Sequence, residues 1–191
     1  MRKDKPLGAG RSSIDLVDTH KLFRVLDLKR DTAFLDLACG NGSYSIAAAG
    51  IIGDPGMIFA IDLWKEGIDS LREYVSKNNI PYIIPVLADL GKGIPLKGDR
   101  FDICLMAVVV HDFLRADSLD IVLEETVRIL HSGGRLAVIE FEKKEGSPGP
   151  PVHVKLSPKE LSGLITPHGF AGLQEMKMGP YTYLSLFLKE S

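Results

Sequence analysis

An aspartate and a loop of small residues follow the first strongly apolar run of the chain. The segment FLDLACGNGSYS, residues 34 to 45, places Asp36 two residues ahead of that loop. The loop residues are Ala38, Cys39, Gly40, Asn41 and Gly42. Glycine loops of this kind usually hold an anion at the start of a helix. A carboxylate this close would repel a pyrophosphate, so the ligand should present a positive group near the loop.

The spacing of the glycines argues against the common nucleotide motifs. Counting from Gly40 and Gly42, the third glycine of a dinucleotide fingerprint should stand where the chain has Ser45. A phosphate-binding P-loop is also excluded, because no Gly-Lys-Ser/Thr follows the loop. S-adenosylmethionine combines an ammonium group with a carboxylate and a ribose, and it therefore suits the loop better than NAD does.

Two further aspartates stand at the ends of predicted strands. Asp62, followed by Leu63, lies 20 residues beyond Gly42, at the place where a carboxylate accepts hydrogen bonds from ribose hydroxyls. Asp89, followed by Leu90, ends the next strand and could accept a hydrogen bond from an adenine amino group. The alternative interpretations are a helix N-cap for Asp62 and a simple turn aspartate for Asp89.

His111 and Asp112 end the most apolar stretch of the sequence, residues 101 to 110. Histidine titrates near neutral pH, so His111 is a candidate base for a proton of the substrate, with Asp112 as its helper. The alternative is a histidine at a helix start that bonds to the backbone. Cys39 fits a small buried loop residue better than a nucleophile. No group of ligands has metal-binding spacing, so no metal is predicted.

Apolar runs alternate with amphipathic segments along the chain, and this order defines the elements that must position these residues. The predicted strands cover residues 33–38, 57–61, 82–87, 101–110, 135–141, 170–178 and 181–188. The predicted helices cover residues 14–26 with a serine N-cap, 43–51, 64–78, 119–130, and a last helix from Ser157 with a capping box to Glu160. Strands that are apolar throughout indicate a parallel sheet covered on both faces, with ligands at the carboxyl ends of its strands.

Length and charge limit the class of protein. A chain of 191 residues with 45% hydrophobic side chains predicts a single domain over 1–191, with residues 1–30 as an N-terminal capping segment and helix. A net charge of −2 without a basic block argues against a nucleic-acid partner. Two cysteines indicate no disulfide framework and favour a cytoplasmic setting. The longest apolar run has eight residues, so neither export nor membrane spanning is predicted.

The ordered motifs resemble those of the class I, Rossmann-like S-adenosylmethionine-dependent methyltransferases. The family's first motif, hydrophobic-Asp-x-Gly-x-Gly-x-Gly, is similar to residues 35–42, where Ala38 replaces the first glycine and slightly narrows the space for the cofactor. The second and third motifs are similar to residues 60–63 and 88–90, and residues 130–136 resemble the family's signature at the end of a helix. Within the family the chain looks most like small enzymes related to ubiquinone/menaquinone-biosynthesis C-methyltransferases.

This resemblance implies a fold, a reaction and a site. The fold is an α/β three-layer sandwich with a seven-stranded, mostly parallel sheet in the order 3-2-1-4-5-7-6, and the first helix roofs the pocket. The cofactor is S-adenosylmethionine and the acceptor is a small molecule. Arsenite is disfavoured, because a three-cysteine arrangement cannot be built from two cysteines. The implied cofactor contacts are Asp36, Ala38, Cys39, Gly40, Asn41, Gly42, Asp62, Leu63, Asp89, Leu90 and Ala107.

Two other functions stay open at this point. One is an NAD(P)-dependent oxidoreductase on a similar sheet, against which Asp36 and the absent third glycine count. The other is a module that binds S-adenosylmethionine without catalysing a reaction. Residues 143–154, which contain three prolines and two glycines, predict a long flexible loop that acts as a flap over the acceptor side.

Overall fold

The computed structural model describes Gly10 and residues 12–190, which contain one seven-stranded sheet with helices on both faces. The strands are β1 (Ala33–Leu37), β2 (Met57–Asp62), β3 (Ile83–Leu87), β4 (Phe101–Ala107), β5 (Leu130–Phe141), β6 (Phe170–Lys177) and β7 (Thr182–Lys189). The helices are α1 (Thr19–Val25), α2 (Ser43–Ile52), α3 (Lys65–Asn78), α4 (Val110–Arg115), α5 (Leu119–Ile129) and α6 (Pro158–Ile165).

The strand order is β3-β2-β1-β4-β5-β7-β6, which confirms the predicted topology. The first five strands pair in parallel, and β7 runs antiparallel to both β5 and β6. The chain reverses direction across the sheet between β1 and β4, because β2 and β3 lie on one side of β1 and the later strands on the other. Ligands of open α/β sheets bind at such a reversal.

Two apolar layers cover the two faces of the sheet. Leu22, Ala48 and Ile68 anchor α1, α2 and α3 on one face. On the other face, Val110, Val122 and Leu161 anchor α4, α5 and α6. The three-layer α/β fold is therefore confirmed. The extent of a single domain over 1–191 stays a prediction.

The leading helix differs from its prediction. Residues 14–26 do not form one helix capped by serine, because a 3₁₀ turn over Ile14–Leu16 is followed by a break. The α-helix begins only at Thr19, where the Asp18 carboxylate accepts a hydrogen bond from the Lys21 N–H at 2.9 Å. Asp18 offers a stronger N-terminal acceptor than the serines do, and the apolar spacing alone could not locate the break.

Two other boundaries were predicted wrongly. Strand β4 ends at Ala107 rather than at Val110, and the last apolar residues of the run begin the unpredicted helix α4. Strand β5 begins at Leu130 instead of Arg135, with an irregularity opposite Phe101–Ile103. In contrast, the capping box of α6 is confirmed, since the Ser157 hydroxyl and the Glu160 carboxylate each accept a hydrogen bond from the other residue's N–H. Across the described part of the chain, no helix is long and apolar enough to cross a membrane.

Candidate cofactor site

The carboxyl ends of β1 to β4 surround a cavity of about 300 Å³. Parallel strands end at one edge of a sheet, so residues far apart in sequence meet there. The predicted site residues that line the cavity are Ala38, Gly40, Asp62, Leu63, Asp89, Leu90, Ala107 and Asp112. The predicted site residues outside its lining are Asp36, Cys39, Asn41, Gly42 and His111.

Asp62 links the end of β2 to the glycine loop. Its carboxylate accepts hydrogen bonds from the backbone N–H of Gly40 at 2.8 Å and of Trp64 at 2.7 Å. Burial raises the pKa of Asp62, and these backbone donors oppose the rise. Each carboxylate oxygen has two lone pairs, so acceptor capacity remains on the side that faces the cavity. The carboxylate is thus fixed in place and still able to accept hydrogen bonds.

The loop between β1 and α2 depends on left-handed backbone conformations. Ala38, Gly40 and Gly42 have φ values of 56°, 60° and 76°. A Cβ atom on Gly42 would lie 2.5 Å from a methyl group of Leu71 on α3, so this position requires glycine for space as well as for conformation. Ala38 adopts the left-handed conformation at the position where the family motif has glycine, which strains the backbone at the cavity wall.

Asp36 lies behind the loop rather than in the cavity. Only 1% of its surface is exposed, and its carboxylate accepts a hydrogen bond from the Ser45 hydroxyl at 2.7 Å. Burial raises the pKa of Asp36 to about 7, although the bonds with Ser45 oppose the rise, and the charge of Asp62 contributes to it. The carboxylate that the sequence placed in contact with the cofactor can therefore act on the cavity only by its charge, through the loop.

Cys39 is a buried thiol in the same loop. Burial, together with the charges of Asp36 and Asp62, raises its pKa well above the usual range. The thiol therefore stays protonated near neutral pH and is a poor nucleophile. The backbone of Cys39 instead donates a hydrogen bond to the Ile61 carbonyl at 3.0 Å, which ties the loop to β2.

Asp89 combines the two possibilities that the sequence left open, because it is a turn aspartate and also lines the cavity. It begins a 3₁₀ turn in which its carboxylate accepts a hydrogen bond from the Gly91 N–H at 3.1 Å, so it is a turn aspartate. It also lines the cavity beside Leu90, whose side chain is buried. Capping and cofactor contact are thus compatible, and the contact with adenine stays a prediction.

Val108, which directly follows β4 at the other side of the cavity, has a strained backbone. Val108 has a φ of 59°, which is unusual for a β-branched side chain, and its N–H bonds to the Ile139 carbonyl at 2.7 Å. The chain then turns at once into α4, which brings Val109, Asp112 and Phe113 to the cavity. This short turn is the reason that the apolar run from 101 to 110 does not continue as a strand.

His111 does not end a strand, as the sequence predicted, but lies in the first turn of α4 and is not among the residues that line the cavity. Its Nδ1 atom lies 3.0 Å from each carboxylate oxygen of Glu140 on β5, and only 6% of the side chain is exposed. Its Nε2 atom lies 3.7 Å from Asp112 Oδ2. The alternative, a histidine at a helix start that bonds to the backbone, is right about the position but wrong about the partner, because the ring faces two carboxylates.

Glu140 is the residue that sequence reasoning missed. It is fully buried and binds both the ring and the backbone N–H of His111. The available signal was a single acidic residue within the apolar run 136–141, since a glutamate is almost never fully buried without a partner.

The segment 143–154, predicted as a flap, runs between β5 and α6 and contributes no residue to the lining of the cavity. The Ser147 hydroxyl donates hydrogen bonds to the Glu142 and Lys144 carbonyls, and the buried Lys155 ammonium donates to the Ser147 carbonyl. Its flexibility stays a prediction. Among Gly10 and residues 12–190, no three or more His, Cys, Asp and Glu side chains group in a way that could hold a metal ion.

Known proteins with similar sequences include two named methyltransferases. A demethylmenaquinone methyltransferase of Lactobacillus johnsonii is 27% identical over 165 residues, which cover 86% of this chain and 64% of that protein. An arsenite methyltransferase of Halobacterium salinarum is 28% identical over 131 residues, which cover 69% of this chain and 32% of that protein. The chain thus spans less than two thirds of the length of these curated relatives.

A solved structure matches almost the whole fold. The crystal structure of a SAM-dependent methyltransferase from Aquifex aeolicus superposes with a TM-score of 0.85 and 25% sequence identity, covering 93% of each chain. A family model described as a methyltransferase domain matches residues 35–138, from β1 into β5, which include the glycine loop and every aspartate of the cavity. The chain therefore belongs to the methyltransferase domain family, which confirms its resemblance to the class I S-adenosylmethionine-dependent methyltransferases.

Proposed function

We propose that this protein transfers the methyl group of S-adenosylmethionine to a small, partly apolar acceptor. The observation that carries the proposal is the Asp62 carboxylate, which the Gly40 amide holds at the wall of the cavity. That arrangement fixes a hydrogen-bond acceptor next to a loop able to approach a ligand closely, at the edge of the sheet where ligands of this fold bind. The protein is an enzyme of this family, and S-adenosylmethionine is its cofactor.

The residues around the cavity suit the three parts of this cofactor. Asp62 can accept hydrogen bonds from the ribose hydroxyls, and Asp89 with the backbone of Leu90 borders the place for adenine. The negative charge of Asp36 behind the glycine loop attracts the ammonium of the amino-acid part when that carboxyl is ionised. Ala38 and Ala107 are small residues of the lining and leave room near the sulfur.

For this reaction the protein needs to position the two reactants and does not need to form a covalent bond with either of them. S-adenosylmethionine supplies a methyl group that is activated by its bond to a positively charged sulfur. The walls of the cavity hold the attacking atom of the acceptor in line with that bond, and they exclude water from it. A protein base is needed only where the acceptor must lose a proton.

The acceptor side of the cavity favours an apolar small molecule. Val109, just before α4, and Phe113 on α4 line this side, and Asp112 adds a carboxylate. The two cysteines of the chain are buried and free, so they cannot supply a set of three thiolates to arsenite. A net charge of −2 gives no attraction for nucleic acid. A cytoplasmic setting stays part of the proposal.

Calorimetric titration separates the proposal from a nicotinamide-dependent oxidoreductase. We expect S-adenosylhomocysteine, the product form of the cofactor, to bind and NADH not to bind. Binding of NADH alone would contradict the proposal.

Transfer of label separates an enzyme from a module that only binds the cofactor. The protein is incubated with S-adenosylmethionine that carries a radioactive methyl group and with small-molecule, RNA and protein fractions. We expect label in the small-molecule fraction only. Cofactor binding without labelling of any fraction would indicate a binding module, and labelled RNA or protein would overturn the proposed class of acceptor.

A further inference from the structure

Three ionisable side chains form a continuous line from the core to the cavity wall. Glu140 on β5 is fully buried, His111 on α4 is nearly so, and Asp112 keeps 27% of its side chain exposed. Glu140 contacts His111 at 3.0 Å, and His111 contacts Asp112 at 3.7 Å. We call Glu140, His111 and Asp112 the carboxylate–histidine line. Only its last member lines the cavity.

Glu140 fixes the orientation of the imidazole ring. Both of its oxygens lie 3.0 Å from Nδ1 of His111, and one of them also accepts the backbone N–H of His111 at 3.3 Å. Because the ring and its own backbone are held by one buried carboxylate, the ring cannot turn without breaking these bonds. The Nε2 atom is therefore directed at Asp112.

The surroundings of His111 favour its protonated form. Burial lowers its pKa, but the hydrogen bond with Glu140 and the charges of Glu140 and Asp112 more than compensate, while Arg115 opposes them weakly. The net result is a pKa above the ordinary value, which favours the protonated ring. A protonated ring has no free site for a proton from an acceptor.

Asp112 is placed to meet a bound molecule. Its carboxylate lines the cavity together with the apolar residues Val109 and Phe113. Arg115, the nearest arginine, is 3.9 Å away and half exposed. A carboxylate in such surroundings binds a hydroxyl or N–H donor most strongly when the donor belongs to an apolar body that fills the rest of the wall.

We propose that Asp112, rather than His111, contacts the methyl acceptor, and that Glu140 and His111 are positioning residues that hold Asp112 in place. The acceptor carries an O–H or N–H donor on an apolar body, and this statement rests on the function proposed above. The attacking atom forms a bond to the methyl carbon as the sulfur–methyl bond breaks, with its electron pair left on sulfur. The proton of the acceptor passes to the Asp112 carboxylate and from there to solvent.

A pair of matched probes tests the contact with Asp112. 2-Naphthol and 2-methoxynaphthalene share an apolar body, but only the first has a donor. With the S-adenosylhomocysteine complex of the full chain at pH 7, we expect 2-naphthol to bind about tenfold more tightly. The Asp112→Asn variant should lose most of this preference. No binding of either probe, equal binding of both, or an unchanged preference in Asp112→Asn would overturn the proposal.

The positioning role is tested with Glu140→Gln and His111→Gln, each compared with His131→Gln. His131 also pairs with a carboxylate, since its Nε2 atom lies 2.8 Å from Asp102, but it lies outside the lining of the cavity. We expect Glu140→Gln to lower the pKa of His111, as followed by NMR of its ring protons. We also expect both line variants to reduce the naphthol preference several-fold while Asp112 is intact. His131→Gln should change neither quantity.

The outcomes separate this inference from the proposed function. If both line variants lower the melting temperature but leave the naphthol preference unchanged, Glu140 and His111 contribute only to stability. That result would overturn their positioning role. If Glu140→Gln fails to fold, His111→Gln and Asp112→Asn decide the question by the same binding ratio. Failure of S-adenosylhomocysteine to bind the wild-type protein would instead contradict the proposed function.

Discussion

Two carboxylates are buried on opposite faces of the sheet, and they differ in their partners. Asp36 on β1 faces the α1–α3 layer, where the hydroxyl of Ser45 is its side-chain partner. Glu140 on β5 faces the α4–α6 layer, where its partner is the imidazole of His111. A neutral hydroxyl cannot balance a buried charge, so the pKa of Asp36 rises to about 7. An ionisable partner instead shares the charge, and the pKa of His111 rises.

The cofactor side and the acceptor side of the cavity therefore differ in their electrostatic surroundings. The cofactor side has a carboxylate whose charge changes near neutral pH and which awaits a cationic ligand. The acceptor side has a histidine that lies between two carboxylates of the protein. The following predictions test this contrast, from the largest expected effect to the smallest.

Removing Glu140 should have the largest effect on stability. Glu140→Ala leaves the buried imidazole without its carboxylate, and loss of one partner of a buried pair costs about 3–5 kcal/mol of unfolding free energy. Urea denaturation at pH 7 measures this change. His131→Ala, which breaks the more exposed pair with Asp102, should cost about 1 kcal/mol or less. Equal losses for the two variants would contradict the contrast between buried and exposed pairs.

Asp36→Asn should stabilise the protein without ligand at alkaline pH. The folded state holds a proton on Asp36 up to about pH 7, whereas an unfolded aspartate loses it near pH 4. The native state thus binds more protons between these values, so its stability falls as the pH rises through this window. Above pH 7 the variant should exceed the wild type by on the order of 3 kcal/mol.

His111 provides the control for this pH dependence. Its pKa is raised in the folded state, so its contribution is fully present below the unfolded value near 6.5 and is lost as the pH rises through the folded value. His111→Gln should therefore remove pH dependence above about pH 6.5, and Asp36→Asn should remove it below about pH 7. Denaturation curves from pH 4 to 9 that coincide for Asp36→Asn and wild type would refute the assignment to Asp36.

Asp62→Ala should weaken S-adenosylhomocysteine binding by tenfold to a hundredfold, because charge-assisted hydrogen bonds contribute about 1.5–3 kcal/mol. Asp36→Asn should act differently, since Asp36 lies outside the cavity lining. In wild type, affinity should increase as the pH rises through about 7 and the Asp36 carboxyl ionises. The variant should lack this increase. Unchanged calorimetry for both Asp36→Ala and Asp62→Ala would refute the site.

Glycine substitutions at the two strained positions should have the smallest effects. Ala38 directly follows the cofactor-side strand β1 and Val108 directly follows β4, both with left-handed backbone. Relief of about 1–2 kcal/mol of strain is partly offset by the conformational entropy of glycine. Ala38→Gly should stabilise by less than about 1 kcal/mol. Val108→Gly should change stability little, because it also removes a side chain that packs against the core. Gly53, which also has a positive φ, provides the reverse control. We expect Gly53→Ala to lower the melting temperature in thermal unfolding.

The sequence allowed most of the fold and the cofactor edge to be predicted. The order of apolar runs and amphipathic segments predicted every strand, and the family motifs predicted the strand order. Asp62 and Asp89 were placed correctly at the cavity because residues that follow parallel strands must meet at one edge. The roles of the individual residues toward the cofactor stay predictions.

Prediction from the sequence was wrong where the structure depends on contacts between residues that are far apart in the sequence. The run 101–110 looked like one strand because apolar residues satisfy a buried strand and a buried short helix equally well. In the fold the turn at Val108 is held by contacts with the distant strand β5, namely the bond from the Val108 N–H to the Ile139 carbonyl and the pair of His111 with Glu140. The pairing of His111 with Glu140 could not be predicted either, because it depends on how β4 and α4 stand beside β5.

What the sequence by itself determined is the repeated strand–helix unit and the glycine loop with its neighbouring aspartate. These depend on hydrophobic periodicity and on backbone conformations that only a few residue types adopt, and both are local properties. What the tertiary structure alone decided is the environment of the two buried carboxylates. Solvent exclusion and the identity of the partner set the charge of such a group, and both arise only when distant segments pack together.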